Sequence, residues 1–339
     1  MRREITIYDI AQKLDVSPST VSRALKGHHS IGKKTIEAVQ NLAKELGYQP
    51  NTFATSLRKN KTNLIGVITP KINRPFQSDV ISGIDDEADK HGYNVILSQS
   101  NDSYKKEIKN AEALFAARVD GVIISFAMET KNYEHFMPFV NKNIPILQFD
   151  RTYQNLESNR VIIDNYRASV EATEYLIKTG CKNIGHLAGL QYREIYRQRT
   201  QGYIDALKKH NIPFRPELLI ESNLNKKDGV ANAAELLRAD RNLDAVFCSN
   251  DTSAISAVLF FKRIGRRIPE DISIIGFNND PGADIVEPEI TTIEQPGYEM
   301  GRAATDLLIK QIESEDDDYK PQTLIIDTRL IIRSSTRKI

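Results

Sequence analysis

The sequence predicts an α/β protein in three parts: a helix-turn-helix three-helix head, a short hinge helix, and a two-lobed body of parallel sheets. Three observations carry that reading. The first 48 residues hold three capped amphipathic segments and no strand pattern. From Asn63 onward, apolar runs of strand length alternate with amphipathic helices through two successive rounds. The formal charge of +1 also splits unevenly. Residues 1–62 hold eleven basic and five acidic side chains, a formal +6, and the remainder carries −5. A basic head on a mildly acidic body suits a chain that meets a polyanion at one end only.

Composition narrows the class further. With 339 residues, 40% hydrophobic and 27% charged, the chain can bury a core in two or three domains. No run nears the ~18 apolar residues of a membrane span. The opening MRREITIYDIAQKLDV has no apolar stretch or small-residue cleavage site, so no signal peptide is expected. Cys181 and Cys248 are far apart and too few for a disulfide framework or a structural zinc site. The expected compartment is the cytoplasm.

In the head, Thr6 with Asp9 three residues later resembles a capping box, and Ile10, Ala11 and Leu14 form one apolar stripe. After a turn at Asp15 and Val16, Ser17 is a good N-cap and Pro18 fits the first helical position. The second helix, about 18–25, buries Val21, Ala24 and Leu25, presents Ser19, Ser22 and Arg23, and stops at Gly27. A third runs from about 33 to 46, with Ile36, Val39, Leu42, Ala43 and Leu46 inward and Gly47 as its C-cap. Two short helices joined by a tight turn and braced by a third form a helix-turn-helix, whose second helix enters the major groove of DNA. The stretch Gly27 to Thr35 nearly spells a phosphate-binding loop, but Lys34 stands where Ser or Thr is needed and no strand precedes it. Residues 50–60 have no glycine, and Asn51 is a plausible N-cap. A segment that short is marginal as an isolated helix, which suits a connection that orders only when docked.

In the body, the first round reads strand NLIGVITP, helix 76–91, strand YNVILSQS, helix 104–119, strand DGVIISF, helix 133–143 and strand IPILQFD. The second, after RVIIDN, reads helix 168–179, strand NIGHLAG, helix 195–210, strand ELLIE, helix 227–239, strand DAVFCSN, helix 253–264 and strand SIIGFNN. Unbroken apolar strands between helices imply parallel sheets covered on both faces. Helix 298–312 and LIIDTRLIIR then cross back between lobes, and the acidic run 313–318 reads as a solvated loop. The chain ends without a heptad repeat, so a coiled-coil tetramer is not expected.

Ligands of open parallel sheets bind beyond the carboxyl ends of strands. Asp150 and Arg151 follow IPILQF, Asn250 and Asp251 follow AVFCS, and Asn278 and Asn279 follow SIIGF, while Arg199 sits in the next helix after a strand. Each could be a helix cap, the preferred reading for Asp251 and Asn279 alone. A carboxylate, a guanidinium and two amides converging from both lobes suit a polyol, with an aromatic ring beneath its apolar face. No dinucleotide fingerprint, HExxH, G-x-S-x-G or Cys/His cluster is present, so no catalytic residues, cofactor or metal are expected. His186, within an apolar strand, reads as a core histidine.

ITIYDIAQKLDVSPSTVSRALKG and ELGYQPNTFATSLRKNKTNLIGVI resemble the LacI/GalR family of bacterial transcriptional regulators, and the similarity runs to the C-terminus. The resemblance implies a periplasmic-binding-protein-like body. It implies base reading at Pro18, Ser19 and Arg23, and backbone contacts at Thr6, Tyr8, Ser17, Thr20, Ser22, Ser30 and Thr35. Lys26, His29 and Asn51 complete the expected DNA-facing set. In the hinge helix it implies a minor-groove wedge at Leu57 with Ala54, Thr55 and Arg58 beside it; such a wedge costs a few kcal/mol of stacking, offset by contacts the bend allows. For the effector it points to Phe76, Asp150, Arg199, Asn250 and Asn278, to which the strand-end rule adds Arg151. Lys26 stands where Asn is usual, Thr55 where Arg is common, and Asn278 where Asp is usual.

The expected partners are therefore double-stranded operator DNA, a second copy of the chain, and a small effector (a sugar, sugar phosphate or sugar acid), with no membrane. The expected domains are 1–49, the hinge at 50–62, and a body at 63–339. In that body one lobe takes about 63–162 and 294–322, the other about 163–293 and 323–339. The alternatives are a solute-binding receptor, which needs no basic head, and, more remotely, an enzyme of sugar or nucleotide metabolism.

Overall fold

The computed structural model describes residues 5–48, 61–314 and 319–339. Contacts divide the chain into two compact units, with the break between Thr62 and Asn63. Asn51, Ala54, Thr55, Leu57 and Arg58 of the expected hinge helix lie outside the described residues, as do 315–318 of the acidic run.

In the head, α1 (Ile7–Leu14) begins at a capping box: the Asp9 carboxylate accepts from the Thr6 backbone N–H and from Thr6 Oγ1, both at 2.7 Å. α2 (Pro18–Leu25) is capped by Ser17 Oγ, which accepts from the Thr20 N–H at 3.1 Å. Gly27 turns the chain at φ 64°, and Gly47 does so again after α3 (Lys33–Glu45), in a region that strains any residue with a Cβ. Ile10, Ala11, Val21, Ala24, Val39 and Ala43 form the buried centre. So small a core leaves caps worth ~1 kcal/mol each a visible share of stability.

The body holds two six-stranded sheets. The first comprises β1 (Leu64–Thr69), β2 (Asn94–Gln99), β3 (Gly121–Ile124), β4 (Ile146–Phe149), β5 (Asn159–Ile163) and β11 (Thr323–Ile326), in the order β11-β5-β4-β3-β1-β2 and parallel throughout. The second comprises β6 (Ile184–Gly189), β7 (Leu219–Ser222), β8 (Ala245–Cys248), β9 (Ser273–Asn278), β10 (Thr291–Glu294) and β12 (Arg329–Ile331), ordered β12-β10-β9-β8-β6-β7. β3, β4 and β8 are buried along their whole length, which is why they read as apolar runs, broken in β4 only by Gln148, whose amide is hydrogen-bonded.

Helices α4 (Pro75–Lys90), α5 (Tyr104–Ala116), α6 (Met137–Val140) and α11 (Gly297–Glu313) belong to the first lobe. The second lobe has α7 (Asn165–Lys178), α8 (Glu194–Lys209), α9 (Lys226–Ala239) and α10 (Asp251–Arg263). α4 and α11 cross at backbone distance. A Cβ on Gly83 would lie 2.1 Å from the Tyr298 carbonyl oxygen, and one on Gly301 2.1 Å from that of Val80.

Four features depart from the sequence reading. Helix 133–143 is instead a 3-10 turn, Glu134–Phe136, followed by the single turn of α6, because Pro138 has no N–H for a continuous helix. β10 was not anticipated; four residues, TTIE, are too short to show a period. The lobe boundary expected at 322/323 falls after Ile326 instead. Thr323 to Ile326 pair with Arg160 to Ile163, and the Gln322 N–H bonds Asn159 Oδ1 at 2.8 Å, so this strand completes the first sheet. β12 is antiparallel to β10, since the chain leaves β11 at the cleft end and enters the second sheet from that same end.

Candidate functional site

The head presents a polar face. Thr6, Tyr8, Ser17, Ser19, Arg23, Lys26, His29 and Ser30 are exposed, and Pro18, Thr20, Ser22 and Thr35 are half-buried. Tyr8 is 68% exposed, which for so large a ring marks a contact residue more than a core one. The hydroxyls of Ser17, Ser19 and Thr20 lie 2.8 Å apart in two bonds around the α2 N-terminus, so Ser17 serves the cap first. Arg23 and Lys26 form no ion pair among the described residues, leaving both cations free for phosphate or base edges.

In the body, Phe76, Asp150, Arg151, Arg199, Asn250 and Asn278 all line one cleft of about 420 Å³ between the carboxyl ends of the two sheets. Arg199 is its anchor. Its guanidinium is buried, donates from Nε to Asn165 Oδ1 (2.8 Å) and from Nη1 to the Ser249 carbonyl (2.7 Å), and lies on the Phe277 ring. Burial lowers its pKa to about 10, against the pull of Tyr196, Asp150 and Asp251. Asp150 is held at φ 57°, and burial raises its pKa although Arg151 and Arg199 oppose that. Among the described residues its carboxylate accepts one hydrogen bond, a long one from Gln295 Nε2 at 3.4 Å.

Arg151 is committed to Asp102, 2.5 Å from Nη1, and Lys71 reaches the other oxygen at 3.4 Å. Burial alone would raise Asp102, but Arg151 and Lys71 together hold its pKa below the usual carboxylate range. Asn250 caps α10 through the Ser253 N–H (2.9 Å) and donates to the Leu224 carbonyl (3.0 Å), so its cap role is met whatever else it touches. Asn278 sits at φ 110°, a conformation that non-glycine residues rarely adopt.

Other polar groups of the second lobe serve the fold. Asp251 turns under the sheet, accepting from Thr292 Oγ1 and the Asp280 N–H, both at 2.7 Å. Burial, with Asp280 nearby, raises its pKa to about 7. Asn279 bonds Glu294 and Arg333. His186 stacks on Phe247, its Nδ1 3.0 Å from that residue's carbonyl, and burial lowers its pKa to about 4. Glu87, His91 and Asp306 could meet at one cation, but Glu87 is already paired with Lys90 and Arg302.

Sequence reasoning missed several cleft groups. Gln295 and Asp280 follow β10 and β9 and obey the same strand-end rule; β10 itself went unseen. Arg74, just before Phe76, reaches across the cleft to Thr252 Oγ1 at 3.3 Å. At the opposite rim Arg193, from the N-cap of α8, binds the carbonyls of Ala127, Met128 and Thr130, the last at 2.8 Å. Tyr192 adds a bond to the Met128 carbonyl at 3.1 Å. The loop that receives Arg193 is held from below by buried Glu107, which accepts from the Ala127 N–H (2.6 Å) and Thr130 Oγ1 (2.8 Å). Two arginines, one from each lobe, thus bridge the cleft.

Comparison with known proteins agrees with both units. Residues 6–51 match the family model "Bacterial regulatory proteins, lacI family", and residues 62–334 match "Periplasmic binding proteins and sugar binding domain of LacI family". The chain is 33% identical to the ribose operon repressor of Halalkalibacterium halodurans, over 98% of this chain and 97% of that protein. It is also 33% identical to the transcriptional repressor CytR of Escherichia coli K12, with the same coverage. Among solved structures, the lac repressor dimer bound to operator and the anti-inducer ONPF superposes with a TM-score of 0.87 at 25% identity, covering 99% of this chain and 100% of that one. No described helix is long and apolar enough to cross a membrane.

Proposed function

From a chain that belongs to the LacI family, and is therefore a DNA-binding transcriptional repressor with a sugar-binding-type body and not an enzyme, we propose a specific mode of action. The protein acts in the bacterial cytoplasm as a homodimer on a pseudo-palindromic operator and controls carbohydrate-use genes. A sugar or sugar-like effector binds between its lobes. The observation that supports this most is the convergence of Phe76, Asp150, Arg151, Arg199, Asn250 and Asn278 on one cleft that opposed arginines bridge.

Effector binding changes lobe closure, and closure sets the spacing of the two hinge segments at 50–62 that a dimer presents to DNA. The coupling is reciprocal, so operator DNA changes effector affinity by the same factor. Two heads of formal +6 place about +12 against the phosphates, a charge that must register in salt dependence.

Selection from a random duplex pool, followed by salt titration of the enriched site, tests this reading. Expected are a two-fold symmetric consensus and affinity falling linearly on a log–log plot, with a slope of about −0.9 per phosphate neutralised. An asymmetric single half-site would overturn the dimer, and a flat salt response would overturn the assigned head.

A further inference from the structure

The cleft's charges do not all have partners. Lys71 and Arg151 share Asp102, Arg199 is spent on Asn165 and the Ser249 carbonyl, and Arg74 reaches Thr252. Of the lining carboxylates, Asp102 is doubly paired and Glu129 accepts from the Tyr104 N–H at 3.1 Å. Asp150 has only its long bond from Gln295. Asp280 has a backbone role, its N–H going to Asp251, but among the described residues its carboxylate takes part in no hydrogen bond or ion pair. It lines the cleft nonetheless.

We infer that Asp280 is a specificity-determining acceptor of the effector site, opposed across the cleft by Asp150, and that the effector is rich in hydroxyl or amine donors and carries no phosphate or carboxylate. This rests on the effector reading above and narrows it. Asp280, with no donor among the described residues, and Asp150, with one long bond, face a space whose cations are engaged, so a donor-rich ligand completes both carboxylates. An anionic one would meet two carboxylates whose neighbouring cations are already held by other partners. The surroundings agree. Burial raises Asp280 to a pKa of about 6, with Asp79 adding to that and Arg74 opposing from the facing lobe. A group so placed costs stability in the free protein. Sites that keep such a cost are commonly sites of function.

The test is thermal unfolding of the full chain with a panel of pentoses, hexoses, nucleosides and amino sugars, each beside its phosphate ester or sugar acid. Stabilisation is expected from neutral or aminated members and not from their anionic counterparts. Asp280→Asn should raise the midpoint of the free protein while weakening the stabilising compound roughly 10- to 100-fold, the range for a hydrogen bond to a charged acceptor. That opposed pair of changes separates a binding role from a structural one, which would lower the midpoint. Stabilisation by anionic members alone overturns this inference and leaves the sugar-effector reading standing. An Asp280→Asn variant that binds as well as the parent overturns the role of Asp280. No stabilisation by any member overturns both readings.

Discussion

The guanidinium carbon of Arg199 lies 3.5 Å from the centroid of the Phe277 ring, which sets a cation that lines the cleft against a fully buried aromatic ring. The contact is compact because β9 ends at the next residue and α8 aims Arg199 back across it. With two directional donors also in use, this side chain links the strand ends of the second lobe as well as lining the site.

Arg199→Ala should therefore destabilise the body by about 3–5 kcal/mol, the usual consequence of removing one member of a buried polar constellation. Arg199→Lys keeps the charge but not the fork, so it should still lose a substantial part of that and bind no effector. Urea denaturation measures both. A loss below about 1 kcal/mol for the alanine variant would mean that water replaces the guanidinium without penalty.

His186 should shape the acid limb of stability. Burial depresses its pKa from 6.5 to about 4, so the fold holds it neutral. The unfolded chain then binds more protons between those values, and stability is lost as pH falls from 6.5 toward 4. The loss should reach about 3 kcal/mol, and His186→Gln should remove it. The check is the difference between parent and variant unfolding free energies across that window. Asp251, raised to about 7, acts in the opposite sense, gaining stability for the fold as pH falls below 7, in parent and variant alike.

The crossing of α4 and α11 leaves no room for a methyl group. Gly83→Ala and Gly301→Ala each push a Cβ against a backbone carbonyl that cannot rotate away. Each should cost at least the 1–3 kcal/mol of overpacking, seen as a lower thermal midpoint. The double variant should cost less than the sum, because one displacement of the helices relieves both contacts.

Arg193 holds three carbonyls of the facing lobe without a carboxylate counter-ion among the described residues. Arg193→Gln should loosen that rim while leaving the sheets intact. Hydrogen exchange should quicken in 127–130 by roughly tenfold for each ~1.4 kcal/mol of local stability removed. Uniform exchange across the body would show that the bridge adds nothing to closure.

In the head, Ser17→Ala should lower stability by ~1 kcal/mol through loss of the α2 cap. Arg23→Ala should leave stability unchanged and weaken DNA binding. Loss confined to particular sequences would mark a base contact, and uniform loss with a salt slope smaller by about 0.9 a phosphate contact.

Much of this was legible in the sequence because it depends on local rules. Thr6, Asp9, Ser17, Pro18, Gly27 and Gly47 set the head's helix ends by caps and turns, and the structure shows those ends. Asp150, Asn250 and Asn278 lie in the cleft because strand ends in parallel sheets do. What escaped depends on pairings remote in sequence. Asn165 matters only because Arg199, 34 residues away, turns toward it. Arg193 has no local signature at all; its partners lie more than sixty residues back. β11 reads as part of a single apolar run with β12, and only the register with β5 shows that the run is divided between two sheets.

That division has a consequence for synthesis. The first lobe lacks an edge strand until Thr323 to Ile326 emerge, and the second lacks β12 and the Ser335 bonds to Ile274 and Thr291 until the final residues do. Each lobe therefore waits for a segment made after most of the other lobe has been synthesised. The head, whose described core lies wholly within residues 7–48, can form while the rest is still being made. A nascent chain therefore has its DNA-reading unit long before it has a site with which to regulate it.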